Sequence, residues 1–291
     1  MNAEALHPSR QAGAQKSAYG AVLRHALLIG ASIIMLYPLL WMLASSFKPD
    51  SLIFSDMSLI PPSLNPRNYI EGWNALEVSF SRFYWNSFVI AVLAVIGNVM
   101  SCSLAAYAFA RLNFRGRKLF FALMMATLML PYHVTLIPQY VLFLNIGWVD
   151  TFLPLVVPKF MAGDAFAIFL MVQFFRSLPR ELDEAARIDG CGPWRIYWMI
   201  VLPLSKPVLA TAAILTFLWT WNDFFGPLIY LNDISHYTVP LALRAFVDTT
   251  GLSAWGQLFA MSSLALAPIF LFFLFFQRLI INGIAMSGLK G

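Results

Sequence analysis

A run of 22 residues without a single charge, 26–47, sets the first constraint on this chain. As a helix it measures about 33 Å, against a bilayer hydrocarbon core of about 30 Å. Comparable runs follow at 83–110, 119–144, 151–175, 207–231 and 255–281. Lipid offers the backbone no hydrogen bonds, so such runs must be helical. The expectation is an all-α integral membrane protein with six transmembrane helices. The third run is interrupted by Pro131 and Pro138. The fourth holds Pro154, Pro158, Lys159, Gly163 and Asp164, so only its part from Ala165 onward reads as a clean helix. Composition agrees: 60% of the 291 residues are hydrophobic and 11% charged, against about 25% charged in soluble domains.

The remaining segments are polar. Residues 1–20 lack apolar periodicity and are expected to be a mobile tail, 21–281 form the membrane domain, and 282–291 are a short C-tail. Residues 48–82, with Pro49, Pro61, Pro62 and Pro66, are too broken for a span. A cleaved signal peptide competes for the first run, because Arg10, Lys16 and Arg24 precede it. Its apolar length nevertheless exceeds the roughly 7–15 residues of a signal core. Cys102 and Cys191 lie in an apolar run and a charged loop, in no metal-ligand spacing.

Lysine and arginine orient the spans. One side collects Arg10, Lys16, Arg24, Arg111, Arg115, Arg117, Lys118, Arg176, Arg180, Arg187, Arg195, Lys206, Arg278 and Lys290, fourteen of the nineteen cations. The other side has Lys48, Arg67, Arg82, Lys159 and Arg244. The excess places both termini and the interval 177–207 in the cytoplasm. The same distribution accounts for the net charge of +5 without nucleic acid.

That interval, SLPRELDEAARIDGCGPWRIYWMIVLPLSKP, has internal order. Ser177 suits a helix cap, Pro179 a first turn, and Glu181 and Asp183 the positive pole of the helix dipole. Leu178, Leu182, Ala185 and Ala186 fall on one face, and Arg180, Glu181, Glu184 and Arg187 on another. Gly190 is expected to stop this helix in the left-handed conformation. Gly192 and Pro193 start a second one, striped with Trp194, Tyr197, Trp198 and Val201 and closed by Leu202 and Pro203. Two short helices bent about a glycine beside a membrane make a docking knuckle.

The spacing Glu184-Ala185-Ala186, Gly190, Ile200, Leu202-Pro203 resembles the EAA loop of membrane subunits of ATP-binding-cassette importers. With FRSLPRELDEAARIDG, FLWTWNDFFGPLIYL and the ending QRLIINGIAMSGLKG, the chain from about residue 24 onward is similar to the carbohydrate-importer permeases related to the second maltose-transporter subunit. The resemblance implies the type I ABC importer permease fold in a bacterial inner (plasma) membrane. It implies an ATP-binding subunit dimer carrying ATP and Mg, a second homologous permease and an extracytoplasmic solute-binding protein as partners. It also assigns roles: Glu184 as ionic contact to the ATPase, Ala185 and Ala186 as close-approach positions, and Gly190 as the bend.

Other candidates sit in the spans. Trp221-Asn222-Asp223 puts a carboxylate in an apolar run, which is costly and points to function. Trp219 or Trp221 could stack on a sugar face while Asn222 and Asp223 accept hydroxyl hydrogen bonds. The structural alternative is a carboxylate bonding a neighbouring helix end. Tyr132, His133 and Gln139, beside two prolines, either line a cavity or pack helices. The loop 232–254, with His236, Tyr237, Arg244, Asp248 and Gly251, is expected to be an outer surface for the binding protein. The C-tail is expected either to touch the ATPase dimer or to stay free.

No GxxxxGK[ST] loop, HExxH or GxSxG is present, so neither ATP hydrolysis nor other catalysis is expected in this chain, and no cofactor or metal. The rival function is an ion-coupled secondary transporter, which calls for inverted repeats and several embedded ionisable groups. Little beyond Asp223 and His133 answers to that. A membrane-embedded enzyme would need a catalytic cluster at one depth.

Overall fold

The structure is a computed structural model that describes the backbone of residues 9–61, 64, 66–250 and 254–288, and the side chains of 20, 22–61, 64, 66–131, 133–247 and 254–276. Nine helices of eight or more residues occur among the described residues: α1 Ser9–Ser45, α2 Phe80–Arg111, α3 Arg117–Thr127, α4 Tyr132–Asn145, α5 Ala165–Ser177, α6 Glu181–Ile188, α7 Lys206–Trp221, α8 Val239–Thr250 and α9 Trp255–Gly288.

Four stretches are long and apolar enough to span alone, Val22–Ser45, Phe80–Arg111, Leu153–Ser177 and Trp255–Phe276. A fifth is the pair Pro193–Leu204 and Lys206–Trp221, bent by 77°. Among the described residues, four or five of the six expected spans thus meet the requirement of length and hydropathy, and the third is interrupted at Pro131 as its sequence indicates. The run 119–144 is divided into α3 and α4 at 128–131, because Pro131 excludes helical conformation from the residue before it. Neither half reaches across a bilayer alone. The fifth run also stops early, at Trp221, and resumes as the short helix Phe225–Tyr230. Both tails contain helix among the described residues, α1 over 9–20 and α9 over 282–288.

Helix α2 is the axis of the fold. Ala91, Ala94, Gly97, Asn98, Cys102, Ala106 and Ala110 on it are buried, and these small side chains admit close neighbours. A methyl group on Gly97 would collide with the Phe160 ring. One apolar cluster, the inner cluster of the core, joins the C-terminal half of α2 to α5, the knuckle and α7 through Tyr107, Met171, Phe175, Tyr197, Val201 and Val208. A second joins its N-terminal half to α7, α8 and α9 through Phe80, Phe83, Phe217, Trp221, Phe246 and Met261. Between them Asn98, fully buried, donates to Thr216 Oγ1 at 2.8 Å and Asp164 Oδ2 at 3.1 Å. Asp164 also accepts from Ala167 N at 3.0 Å and caps α5. One amide thus fixes α2, α5 and α7 at a common depth.

Candidate functional site: the knuckle and the loop at the far end of α2

The first knuckle helix begins at Glu181, four residues after Ser177. Leu178, preceding Pro179, is extended (φ −70°, ψ 141°), as the proline ring requires. Ser177 therefore does not cap α6; its hydroxyl donates back to Phe174 O at 2.7 Å at the end of α5. The helix ends as expected at Gly190, whose φ is +80°. Cys191 N donates to Ala186 O at 2.8 Å and Gly190 N to Arg187 O at 3.0 Å, the two bonds of a Schellman stop.

The second arm starts with Pro193 in its first turn, but Leu202-Pro203 does not close it. Pro203 lacks the N–H that an α-turn would donate to residue 199, and the chain passes through a π-turn, Tyr197–Val201, to Leu204. The aromatic stripe divides: Tyr197 and Val201 are buried, whereas Trp194 and Trp198 are exposed. Ile200 and Leu202 are half-buried against the inner cluster, and Pro203 is exposed.

The buried face of α6 also differs from the face expected. Asp183 and Ala186 point inward, and Leu182 and Ala185 are exposed. The cause is Arg111 at the end of α2, whose Nη1 lies 3.2 Å from Asp183 Oδ2 while Nη2 donates to Leu178 O at 2.9 Å. Both partners are buried, so the charge on Asp183 is drawn inward by its counter-ion. One turn up α2, Tyr107 donates to Pro193 O at 2.9 Å, and a further turn up, Ser103 Oγ lies 2.7 Å from Tyr197 Oη. Ser103, Tyr107 and Arg111 stand four residues apart on one face. Glu184 remains outside this network, exposed, and among the described residues makes no ion pair, although Arg180 and Arg187 are near in sequence.

The other end of α2 holds the loop before α8. Asn86 Nδ2 donates to Ser235 O at 2.8 Å and Tyr237 O at 3.0 Å, and Val239 N donates to Ser87 Oγ at 2.8 Å. Asp150, at φ +64°, accepts on Oδ1 from Asn232 N at 2.9 Å and Asp233 N at 3.0 Å, with His236 Nδ1 at 3.2 Å. Burial resists ionisation of Asp150, but these two backbone donors and His236 outweigh it, and its carboxyl sits below the ordinary 3.8.

Trp221 is buried, stacked on Phe217 at 5.6 Å, and donates its indole N–H to Ala265 O at 3.2 Å. Trp219 is exposed and meets Phe166 edge-on at 5.7 Å. Asn222 is exposed and donates to Leu218 O at 2.8 Å. Asp223 accepts from Gly226 N at 3.2 Å, and a methyl group on Gly226 would strike Asp223 Oδ2. The other candidate group converges on the following turn: His133 meets the Phe225 ring at 5.0 Å, and Gln139 Oε1 lies 3.4 Å from Tyr230 Oη. The side chains of Tyr132, Asp248 and the C-tail, and all of Gly251, lie outside the described residues.

The family described as "Binding-protein-dependent transport system inner membrane component" matches residues 97–285, which include the knuckle and the C-terminal half of α2. The chain belongs to that family. The permease is 35% identical over 259 residues to the probable ABC transporter permease protein YurM of Bacillus subtilis, covering 89% of this chain and 85% of that one. It is 32% identical over 268 residues to the diacetylchitobiose uptake system permease protein NgcG of Streptomyces coelicolor, covering 92% and 88%. It is 36% identical over 269 residues to the sn-glycerol-3-phosphate transport system permease protein UgpE of Yersinia pestis, covering 90% and 95%. A crystal structure of a bacterial ABC transporter that imports alginate has the same fold, with a TM-score of 0.78 at 20% identity over 95% of this chain and 99% of that one. The permease is thus an all-helical type I importer subunit. The four-residue spacing of Ser103, Tyr107 and Arg111 puts them on one face of α2, but nothing in the sequence names Asp183 as the partner of Arg111, which also fits the cations flanking a span.

Proposed function

We propose that this permease is one of two membrane subunits of an ATP-driven, binding-protein-dependent importer for a sugar or sugar-derived solute, and that its knuckle receives the movement of a separate ATPase dimer. The observation that carries the reading is the division of labour on α6. Asp183 and Ala186 bind the knuckle to α2, leaving Glu184, Ala185 and Ile188 exposed for a partner. Ala185 permits close approach and Glu184 meets a basic residue of the ATPase. Gly190 and the Schellman stop keep the angle between the arms fixed, so a push on α6 moves both. ATP and Mg belong to the partner subunits, where hydrolysis occurs.

Helix α2 carries the movement outward. At 32 residues it is about 48 Å long, bonded to the knuckle at one end and to the loop 232–239 at the other. Closure of the ATPase dimer tilts it, and the outer loop, facing the binding protein, shifts with it. The cation distribution supports both termini lying in the cytoplasm of a bacterial inner membrane. The sugar class is supported by the diacetylchitobiose, glycerol-phosphate and alginate systems among the similar proteins. Trp219, Asn222, Asp223, His133 and Gln139 are our candidates for lining the path. An ion-coupled mechanism has no comparable support.

The test is ATPase activity and solute uptake by the reconstituted complex, with and without loaded binding protein. Glu184→Ala and Gly190→Pro should each abolish stimulation and uptake while assembly persists. Normal transport by both variants would leave Glu184 an ordinary surface charge and sink the coupling role. Uptake driven by an ion gradient without ATP would sink the importer reading as a whole.

A further inference from the structure

We propose that residues 54–60, between the first two spans, form a finger seated in the membrane, which folds back along α1 and places Met57 and Ile60 among the acyl chains of the outer leaflet. The segment leaves the end of α1 but returns to its side. Tyr37 Oη reaches within 3.5 Å of the Met57 carbonyl oxygen, and Trp41 meets the Phe54 ring at 6.3 Å. Tyr37 lies eight residues before Ser45, hence about 12 Å back along the helix axis. The uncharged run 26–47 is about 33 Å as a helix and exceeds the hydrocarbon core by only about 3 Å in all. Met57 therefore sits below the membrane face.

Its surface suits that depth. Ile60 is 81% exposed, Met57 67% and Phe54 55%, an apolar patch continuous with α1, whose spanning window has no buried residue within the chain. Phe54 is also 5.5 Å from Trp255, the first residue of α9. Trp41, Phe54 and Trp255 together form an aromatic cluster of the kind that marks a lipid–water boundary.

At the base of the finger the polar groups bond within the segment, and the exposed Ser55 and Ser58 hydroxyls donate to Ser51 O at 3.0 Å and Asp56 Oδ2 at 2.9 Å. Lys48 is fully buried, and its ammonium donates to Asp56 O at 2.6 Å and Ser58 O at 2.7 Å, 3.7 Å from Asp56 Oδ2. Asp56 accepts in turn from Ser58 N at 2.9 Å, and Asp56 N donates to Leu52 O at 3.0 Å. A loop bathed in water gains little from sequestering a lysine in this way. One entering lipid needs its carbonyls satisfied and the compensating cation neutralised. The lysine counted as an outer-side charge is thus the internal brace of the finger.

The experiment uses the assembled complex reconstituted in lipid nanodiscs, with Met57→Cys or Ile60→Cys labelled by an environment-sensitive fluorophore in a Cys191→Ser background and Ala75→Cys as the exposed control. Doxyl-labelled phosphatidylcholine should quench both finger positions by at least about threefold more than the control, and aqueous iodide should show the reverse order. Iodide quenching equal to the control without a doxyl effect would overturn the proposal. So would protection from iodide that appears only when the binding protein is added, which would make the patch a protein-docking surface.

Discussion

The two ends of α2 hold their loops by different chemistry. At the knuckle end two ties run between side chains, Arg111 to Asp183 and Ser103 to Tyr197, while Arg111 and Tyr107 also reach the carbonyls of Leu178 and Pro193. At the other end α2 reaches backbone, Asn86 to two carbonyls and Ser87 to an N–H, and Asp150, from the turn before α5, adds bonds to two further N–H groups beside its contact with His236. Side-chain pairs fix residue identity on both partners, whereas backbone pairs fix only the path of the chain. A knuckle held in the first way is committed to one partner geometry. A loop held in the second way keeps its shape while its own side chains vary.

The comparison is broken most severely at Arg111. Arg111→Met strands a buried Asp183 and should cost about 3–5 kcal/mol, seen as a lower unfolding midpoint of the purified complex. The double variant Arg111→Met with Asp183→Leu should recover most of that loss. If recovery in stability leaves uptake low, the ion pair sets the knuckle's orientation as well as holding it. At the other end of α2 Asn86→Leu deprives two carbonyls of their donor and should cost about 1–3 kcal/mol, together with faster proteolysis within 232–238.

Smaller effects sharpen the contrast. Ser103→Ala and Tyr197→Phe, combined in a double-mutant cycle, should show a coupling of about 0.5–1.5 kcal/mol; zero coupling would remove the side-chain character of that tie. The Asp150 tie has a defined pH dependence. Its carboxyl is depressed in the folded state, so the stabilisation is present above the unfolded value near 3.8 and is lost as pH falls through the lower folded value. Protease sensitivity of the loop should therefore be flat around neutrality and rise only in strong acid. Tyr237→Phe should change stability by no more than about 0.5 kcal/mol, because only the carbonyl of that residue is held by α2; a larger loss would show that loop side chains matter after all.

Membrane class, helix content, the position of the knuckle and its Gly190 stop were legible in the linear chain. Each depends on interactions within a few residues or on hydropathy summed over a span. Proline accounts for where that reading stops short. Pro131 splits a run that hydropathy joins, and Pro179 delays α6 by holding Leu178 extended, both local effects visible only once neighbouring dihedrals are considered. Two further facts are not local. Asp183 faces inward because an arginine 72 positions earlier in the chain is carried beside it by α2, and Lys48 is buried because a loop turns back over it. In both cases a charge chooses its side by where a distant counter-charge or carbonyl is delivered, and that delivery is a property of packing that residue type and spacing along the chain do not encode.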